Sequence, residues 1–226
     1  MRRVLSILLL LVLVVGISLS LAKIPFGVTK TKVGRHYVDQ GVRETGATNI
    51  VTSVVLSYRG FDTLGEVTVL FISAVGLGAV LTGAAIGKKR KVRAASVILT
   101  TGCRLLFPLI LTFGTYIFVH GHLTPGGGFQ GGAIIASGFL LVYLGCRERR
   151  INRTASSVTE SLGGLLFVII GLLGITLGGY FLSNFLPKGV PNALLSAGII
   201  PIIYIAIGFK VGSELASIID NLIEES

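Results

Sequence analysis

Six stretches of apolar residues, most of them near 20 residues long, set the strongest limit on what this chain can fold into. They fall at residues 4–22, 63–86, 96–119, 131–144, 162–182 and 194–219. About 20 consecutive apolar residues in helical form cross a hydrocarbon core, whereas the core strands of soluble proteins need only short bursts. Glycine, proline or clustered charge separates the stretches, and no segment between them has the composition of a soluble domain. The fourth stretch is short unless Gln130 and Cys146 flank it inside the membrane. Only 13% of the 226 residues are charged, about half the usual share of a soluble domain. The expected fold is an all-α integral membrane protein with about six transmembrane helices. Its 31 glycines are roughly twice the usual ~7% and suit helices that approach closely through small residues. Gly83-x-x-x-Gly87, Gly174-x-x-x-Gly178 and Gly208-x-x-x-Gly212 are faces of that kind.

A net charge of +10 would be the footprint of a nucleic-acid partner if it lay along one face of a soluble domain. Here it lies between the apolar stretches. Arg2 and Arg3 precede the first; Lys88, Lys89, Arg90, Lys91 and Arg93 follow the second; Arg147, Arg149, Arg150 and Arg153 follow the fourth. With those clusters on the inner side, the positive-inside rule places both termini in the cytoplasm. The turns at 120–130 and 183–192 then face outward, nearly uncharged apart from Lys188. The long first outer loop is the exception, with Lys23, Lys30, Lys32, Arg35, Arg43 and Arg59. The charge therefore reads as orientation in a lipid bilayer, and no nucleic-acid partner is expected. Met1-Arg2-Arg3, the apolar run and Ser20-Leu21-Ala22 have the layout of a signal peptide, but the run is long for one and reads as a retained anchor. Cys103 and Cys146 fall near the cytoplasmic ends of their helices and are expected to stay reduced; two thiols alone do not ligate an iron–sulfur cluster.

The basic stretch at 87–96 divides the chain into residues 1–94, with one anchor, an outer loop and one span, and residues 95–226, a four-helix unit of two hairpins. In the first part, Ile50, Val51, Val54, Val55 and Tyr58 form an apolar stripe at helical spacing, which reads as an amphipathic helix along the outer interface. Arg59-Gly60 breaks it, and Asp62 or Thr63 is placed to cap the next helix. Asp62 and Glu66 share a face four residues apart, with Glu66 about one turn inside the apolar run. Ionisable groups at membrane depth are costly and often functional, and two carboxylates on one face suit proton exchange or transient cation capture. The plainer alternative is an interfacial Arg59–Asp62 pair. Lys210 and Glu214, also four apart, read either as a proton relay or as a pair in which each satisfies the other. Arg104 reads as snorkelling to the inner interface.

The most distinctive stretch is His120-Gly121-His122-Leu123-Thr124-Pro125-Gly126-Gly127-Gly128-Phe129-Gln130-Gly131-Gly132. Its glycines permit irregular backbone and tight packing at a helix start. His120 and His122, two apart, have poor spacing for helical metal ligands, and no carboxylate or cysteine is near them in sequence. The glycines are not followed by Lys-Ser or Lys-Thr, so no phosphate loop is present. No nucleophile–base arrangement appears, so no metal, no cofactor and no catalytic residue is expected.

That turn resembles the signature of the B subunit of the multisubunit Mrp-type sodium/proton antiporters, carried by His122, Leu123, Thr124, Pro125, Gly126, Gly127, Gly128, Phe129, Gln130, Gly131, Gly132 and Ala133. Four helices around such a turn match that subunit over about residues 95–222. Upstream, Thr45-Gly46-Ala47-Thr48-Asn49-Ile50-Val51-Thr52 and Tyr58-Arg59-Gly60-Phe61-Asp62-Thr63-Leu64-Gly65-Glu66 are similar to the C-terminal end of the antiporter's large A subunit. Related modules occur in archaeal membrane-bound hydrogenases and sulfur reductases, so this chain resembles a fused version of the two pieces. The resemblance implies a non-catalytic subunit of a prokaryotic, archaeal-type cell-membrane complex, with Na⁺ and H⁺ as transported ions and other membrane subunits as partners. It places Asp62 and Glu66 on the family's Asp-Thr-x-Gly-Glu motif, with Arg59 and Thr63 beside them. A stand-alone antiporter and a redox-linked complex both remain open, and an independent small cation transporter or channel is the alternative.

Overall fold

The computed structural model describes residues 2–23, 32–84, 95–146 and 151–225. The described residues are mostly helical, with no strand among them. Among the described residues, six helices are long and apolar enough to span a membrane: α1 (Arg2–Ala22), α4 (Gly60–Ala84), α5 (Val97–Val119), α6 (Gly128–Gly145), α7 (Arg153–Gly178) and α8 (Ile200–Glu225). Between α1 and α4 lie α2 (Lys32–Thr45) and α3 (Ile50–Thr52), which runs into a π-helical stretch, Ser53–Tyr58. The basic cluster at 88–93, Lys30, Gly87 and the cluster at 147–150 lie outside the described residues.

The chain divides into two compact units, residues 1–36 and 37–226. The first is dominated by α1, whose apolar side chains are exposed around its whole circumference. Such a helix suits lipid on every side.

In the second unit α8 is central, touching α4, α5, α6 and α7. Glycines set how closely the helices come. On α6, Gly131, Gly138 and Gly145 recur every seven residues and face Gly114 and Phe118, Ile110, and Cys103 of α5. Gly128 and Gly132 turn toward α8 instead, where Gly132 meets the backbone of Gly208 and Gly212. The Gly208–Gly212 face is therefore an internal contact. The Gly174–Gly178 face also packs within the chain, against the returning loop at Leu182 and Ser183 rather than against a helix.

Three boundaries differ from the hydropathy pattern. The fourth span starts at Gly128, so Gln130 is inside it and the short apolar run gains a turn. The fifth starts at Arg153 because Asn152 caps it, its side chain accepting from the Ala155 N–H at 3.2 Å. Its early hydroxyls are also satisfied, with Ser156 Oγ 3.1 Å from the Ser213 carbonyl. Residues 179–182 and 194–199 are loop, not span. Gly179 ends α7 in a left-handed conformation (φ 87°), and α8 does not begin until Ile200. The intervening loop buries Phe181, Leu182, Ser196, Ala197 and Ile199. Irregular backbone buried in protein needs its polar groups paired. Asn184 does this by donating to the Ala197 carbonyl (3.1 Å) and accepting from the N–H groups of Leu186 (3.3 Å) and Ile199 (3.2 Å).

Candidate functional site: the glycine turn, its clamp and the intramembrane charges

The segment after α2 folds so that its small polar residues face inward together with Leu56 and part of its apolar stripe. Thr52, Ser53 and Leu56 are buried, while Val51 is 68% exposed. Of the stripe expected along the interface, Val51 is exposed, Ile50, Val54 and Tyr58 are half-buried, and Val55 packs against the core. The switch to π-helical hydrogen bonding, with the Arg59 N–H on the Val54 carbonyl at 2.8 Å, ends it. Neither Asp62 nor Thr63 caps α4, which already begins at Gly60. The register change at the π-helical stretch sends the Thr63 hydroxyl back to the Val55 carbonyl (2.7 Å).

The inward polar residues clamp the glycine turn. Asn49 caps α3 through its side-chain oxygen, accepting from the Val51 N–H at 3.1 Å. Its amide nitrogen donates to the carbonyls of Gly121 and Thr124, both at 2.9 Å. The Asn49 backbone N–H bonds the His122 carbonyl at 3.0 Å. Thr52 Oγ1 donates to the Gly121 carbonyl (2.7 Å) and pairs with the Tyr204 hydroxyl (2.8 Å). The two motifs, some 70 residues apart in sequence, are therefore one structural site.

Tyr204 is the post around which the turn closes. A Cβ on Gly121 would lie 2.8 Å from its ring, one on Gly127 3.2 Å from it, and one on Gly128 2.9 Å from its carbonyl. Gly126 and Gly127 also have φ of 159° and 154°, which a side chain disfavours. Phe129 packs against the core, Gly131 and Gly132 are buried in helix contacts, and Pro125 and Gln130 are exposed. His122 is fully buried, and neither ring nitrogen has a hydrogen-bond partner among the described residues. Burial holds its pKa below 6.5, only partly offset by the nearby backbone of Ala193, Leu194 and Val119. Burial, followed by the hydrogen bond to Glu44, likewise pushes the Tyr58 hydroxyl upward. Tyr58 also stacks on Tyr37 with ring centroids 4.6 Å apart.

The carboxylates separate into two environments. Asp62 is ion-paired with Arg59, the plainer of the two arrangements, so it has a counter-charge and does not form an isolated dicarboxylate with Glu66. Glu66 stands on the exposed side of α4, six residues and about 9 Å along the helix from its start. It remains within electrostatic reach of Tyr204. Lys210 and Glu214 are 5% and 1% exposed and joined at 2.5 Å. Glu214 Oε1 has no partner among the described residues. Lys210 Nζ lies 5.8 Å from the Phe71 ring of α4, and Gly163 and Gly164 of α7 make room for its stem. Glu160 of α7 is within electrostatic reach of both members of the pair. Arg104 is exposed on α5 and lines a crevice. The described residues contain no group of three or more His, Cys, Asp or Glu positioned to hold a metal.

Reading the sequence alone misses Tyr204, Asn184 and Glu160. Tyr204 is one aromatic in an apolar helix, Asn184 one polar residue in a loop, and Glu160 falls in the polar lead-in to α7. The signal for Asn49 and Thr52 was present as polar residues at helical spacing, which orient the segment only once the turn they bind is known.

Two family models match separate stretches of the chain. Residues 98–217 match a family described as a domain related to the MnhB subunit of Na⁺/H⁺ antiporters, and residues 1–86 match the E subunit of the membrane-bound hydrogenase MBH. A probable K⁺/H⁺ antiporter A/B subunit of Rhizobium meliloti is 29% identical over 171 residues, covering 65% of this chain and 17% of that protein. Among solved structures, a chain of the membrane-bound sulfane sulfur reductase, an archaeal respiratory membrane complex, superposes with a TM-score of 0.80. It is 50% identical, covering 100% of this chain and 99% of that one. A chain of the Mrp complex from Dietzia sp. superposes with a TM-score of 0.79 at 26% identity, covering 100% of this chain but 26% of that one. With more than half its length inside the matched domain and the glycine turn within that domain, this multi-pass membrane protein belongs to the family of proteins related to the MnhB subunit of Na⁺/H⁺ antiporters.

Proposed function

We propose that the chain is a non-catalytic membrane subunit of a multisubunit ion-translocating complex of the redox-driven archaeal type. The observation that carries this reading is the end-to-end likeness, at 50% identity, to a chain of the sulfane sulfur reductase complex. In this reading Na⁺ and H⁺ are the transported ions, electron transfer belongs to other subunits, and lipid or neighbouring subunits cover the exposed apolar faces. Residues 1–94 act as the antiporter A-tail-like piece and residues 95–226 as the B-like four-helix unit, with both termini cytoplasmic. The Asn49–Thr52 clamp makes the two pieces act as one body where the glycine turn begins.

Glu66 is the carboxylate placed to exchange an ion with a neighbour, since it sits at membrane depth on an exposed face. Arg59–Asp62 anchors the start of that helix. Lys210 and Glu214 form the second charged site, enclosed within the chain. Purification of the tagged chain from native membranes in mild detergent tests the assembly: it is expected to bring down further membrane subunits together with an iron–sulfur protein. Recovery of the chain alone would overturn the subunit reading. In the intact complex, Glu66→Gln is expected to weaken sodium–proton coupling while assembly survives, and full coupling would remove Glu66 from the ion path.

A further inference from the structure

Cys103 and Cys146 come from different helices, are separated by 43 positions in sequence, and bring their sulfurs to 2.9 Å. Both are in the thiol form. Cys103 is buried near the start of α5, where it is held against Gly145: a Cβ on that glycine would lie 2.8 Å from the Cys103 sulfur. Its own thiol donates to the Thr100 carbonyl at 3.2 Å. Cys146 is the residue that ends α6, its N–H still bonded to the Val142 carbonyl at 2.6 Å, and it is only half-buried. The two sulfurs open onto a crevice of about 330 Å³ lined also by Arg104, Phe107, Phe139 and Tyr143. Cys103 lies six residues into α5, about 9 Å along the axis, and Cys146 is at the end of α6, so the crevice is at the end of these two helices.

We propose that Cys103 and Cys146 form a two-thiol modification site that closes reversibly into a disulfide when it meets a small anionic oxidant containing a sulfur–sulfur bond. The roles follow from access. The thiolate of half-exposed Cys146 attacks one sulfur of the oxidant, breaking its S–S bond and releasing one reduced sulfur anion. The thiolate of buried Cys103, already in contact, then attacks the Cys146 sulfur, forming the Cys103–Cys146 bond and expelling the second sulfur anion. Two thiol protons pass to solvent and two electrons to the oxidant, which is reduced to two anions. Arg104 gives the crevice a positive wall suited to such an anion. A disulfide needs its two sulfurs at about 2 Å, and the existing contact at 2.9 Å leaves them a short approach. The closed form ties the start of α5 to the end of α6, at the opposite end of these helices from the glycine turn.

Tetrathionate is the probe. Each thiol pair consumes one tetrathionate and releases two thiosulfates. Purified complex is treated with it, unreacted thiols are counted with a maleimide after denaturation, and the chain's intact mass is measured. Wild-type chain is expected to lose both reactive thiols and the mass of two hydrogens, keep no adduct, and recover both thiols on treatment with dithiothreitol. Cys103→Ser is expected to keep a thiosulfate-derived adduct on Cys146, because no resolving thiol is present. Cys146→Ser is expected to leave Cys103 unmodified while the protein is folded and to become reactive only on denaturation. Two maleimide-reactive thiols in the treated wild type, a persistent adduct on it, or cross-linked dimers in place of the internal bond would each overturn the proposal.

Discussion

The contact between α6 and α8 gives a sharp test because two glycines face one another there with unequal room. A Cβ on Gly132 would lie 2.9 Å from the Gly208 carbonyl oxygen, the Gly212 nitrogen and the Val211 Cβ, atoms fixed to the α8 backbone. A Cβ on Gly212 meets nothing nearer than 3.5 Å, the Gly132 oxygen and the Ile135 Cγ2. Ordinary contact begins at 3.4 Å, so Gly132→Ala has to push α8 back by about 0.5 Å, whereas Gly212→Ala requires no movement. A gap of that size forfeits about a quarter of the dispersion well at each contact it opens, and overpacking of this kind costs about 1–3 kcal/mol. Alanine's better helix propensity, up to ~1 kcal/mol, is gained by both variants and cancels in the comparison. At about 2–4 °C per kcal/mol for a domain of this size, the Gly132→Ala midpoint is expected roughly 2–12 °C below that of Gly212→Ala. The assay is thermal loss of the monodisperse detergent-solubilised complex, followed by size-exclusion chromatography. Equal midpoints would refute the claim that α6 and α8 meet backbone to backbone at Gly132.

Three further outcomes follow from the site. Thr52→Val leaves the buried Tyr204 hydroxyl and the Gly121 carbonyl without their shared partner, and thermal unfolding is expected to show a loss of about 1–3 kcal/mol. Glu214→Gln leaves Lys210 charged and buried, at an expected cost of about 3–5 kcal/mol, whereas the Lys210→Met, Glu214→Leu double variant recovers most of that stability; loss of ion coupling in the stable double variant would distinguish a transport role from a packing one. For His122, the folded pKa lies below the unfolded value near 6.5, so between the two the unfolded chain binds more protons. Stability is therefore expected to fall as pH drops below about 6.5 and to level off below the folded pKa. His122→Leu is expected to flatten that slope in pH-dependent melting curves.

The spans were legible because lipid imposes a length and a polarity that composition records directly, as at residues 97–119. The turn was legible because Gly126, Gly127 and Gly128 are needed for reasons of backbone conformation and close approach that no other residue type meets. The clamp was not, since the inward direction of Thr52 and Ser53 depends on a partner at Gly121 and Thr45 that hydropathy cannot show. An apolar stripe ordinarily faces the protein, but in a membrane protein it can equally face outward, and here Val51 is left exposed. The loop at 179–199 misled the hydropathy pattern for a related reason. It is apolar enough to pass for span, while Gly179, Pro187, Pro191 and the left-handed residues Leu182, Asn192 and Ala197 keep it irregular. The Lys210–Glu214 pair was visible from its spacing, but Glu160 joins it only through the packing of α7 on α8.

The account rests on the chain being one part of an ion-translocating assembly and not a transporter in its own right. Liposomes containing either the purified chain alone or the intact complex, loaded for a pH gradient and assayed for sodium uptake, test this most directly. The account predicts uptake with the complex and none above empty liposomes with the chain alone. Gradient-driven sodium uptake by the isolated chain would contradict it.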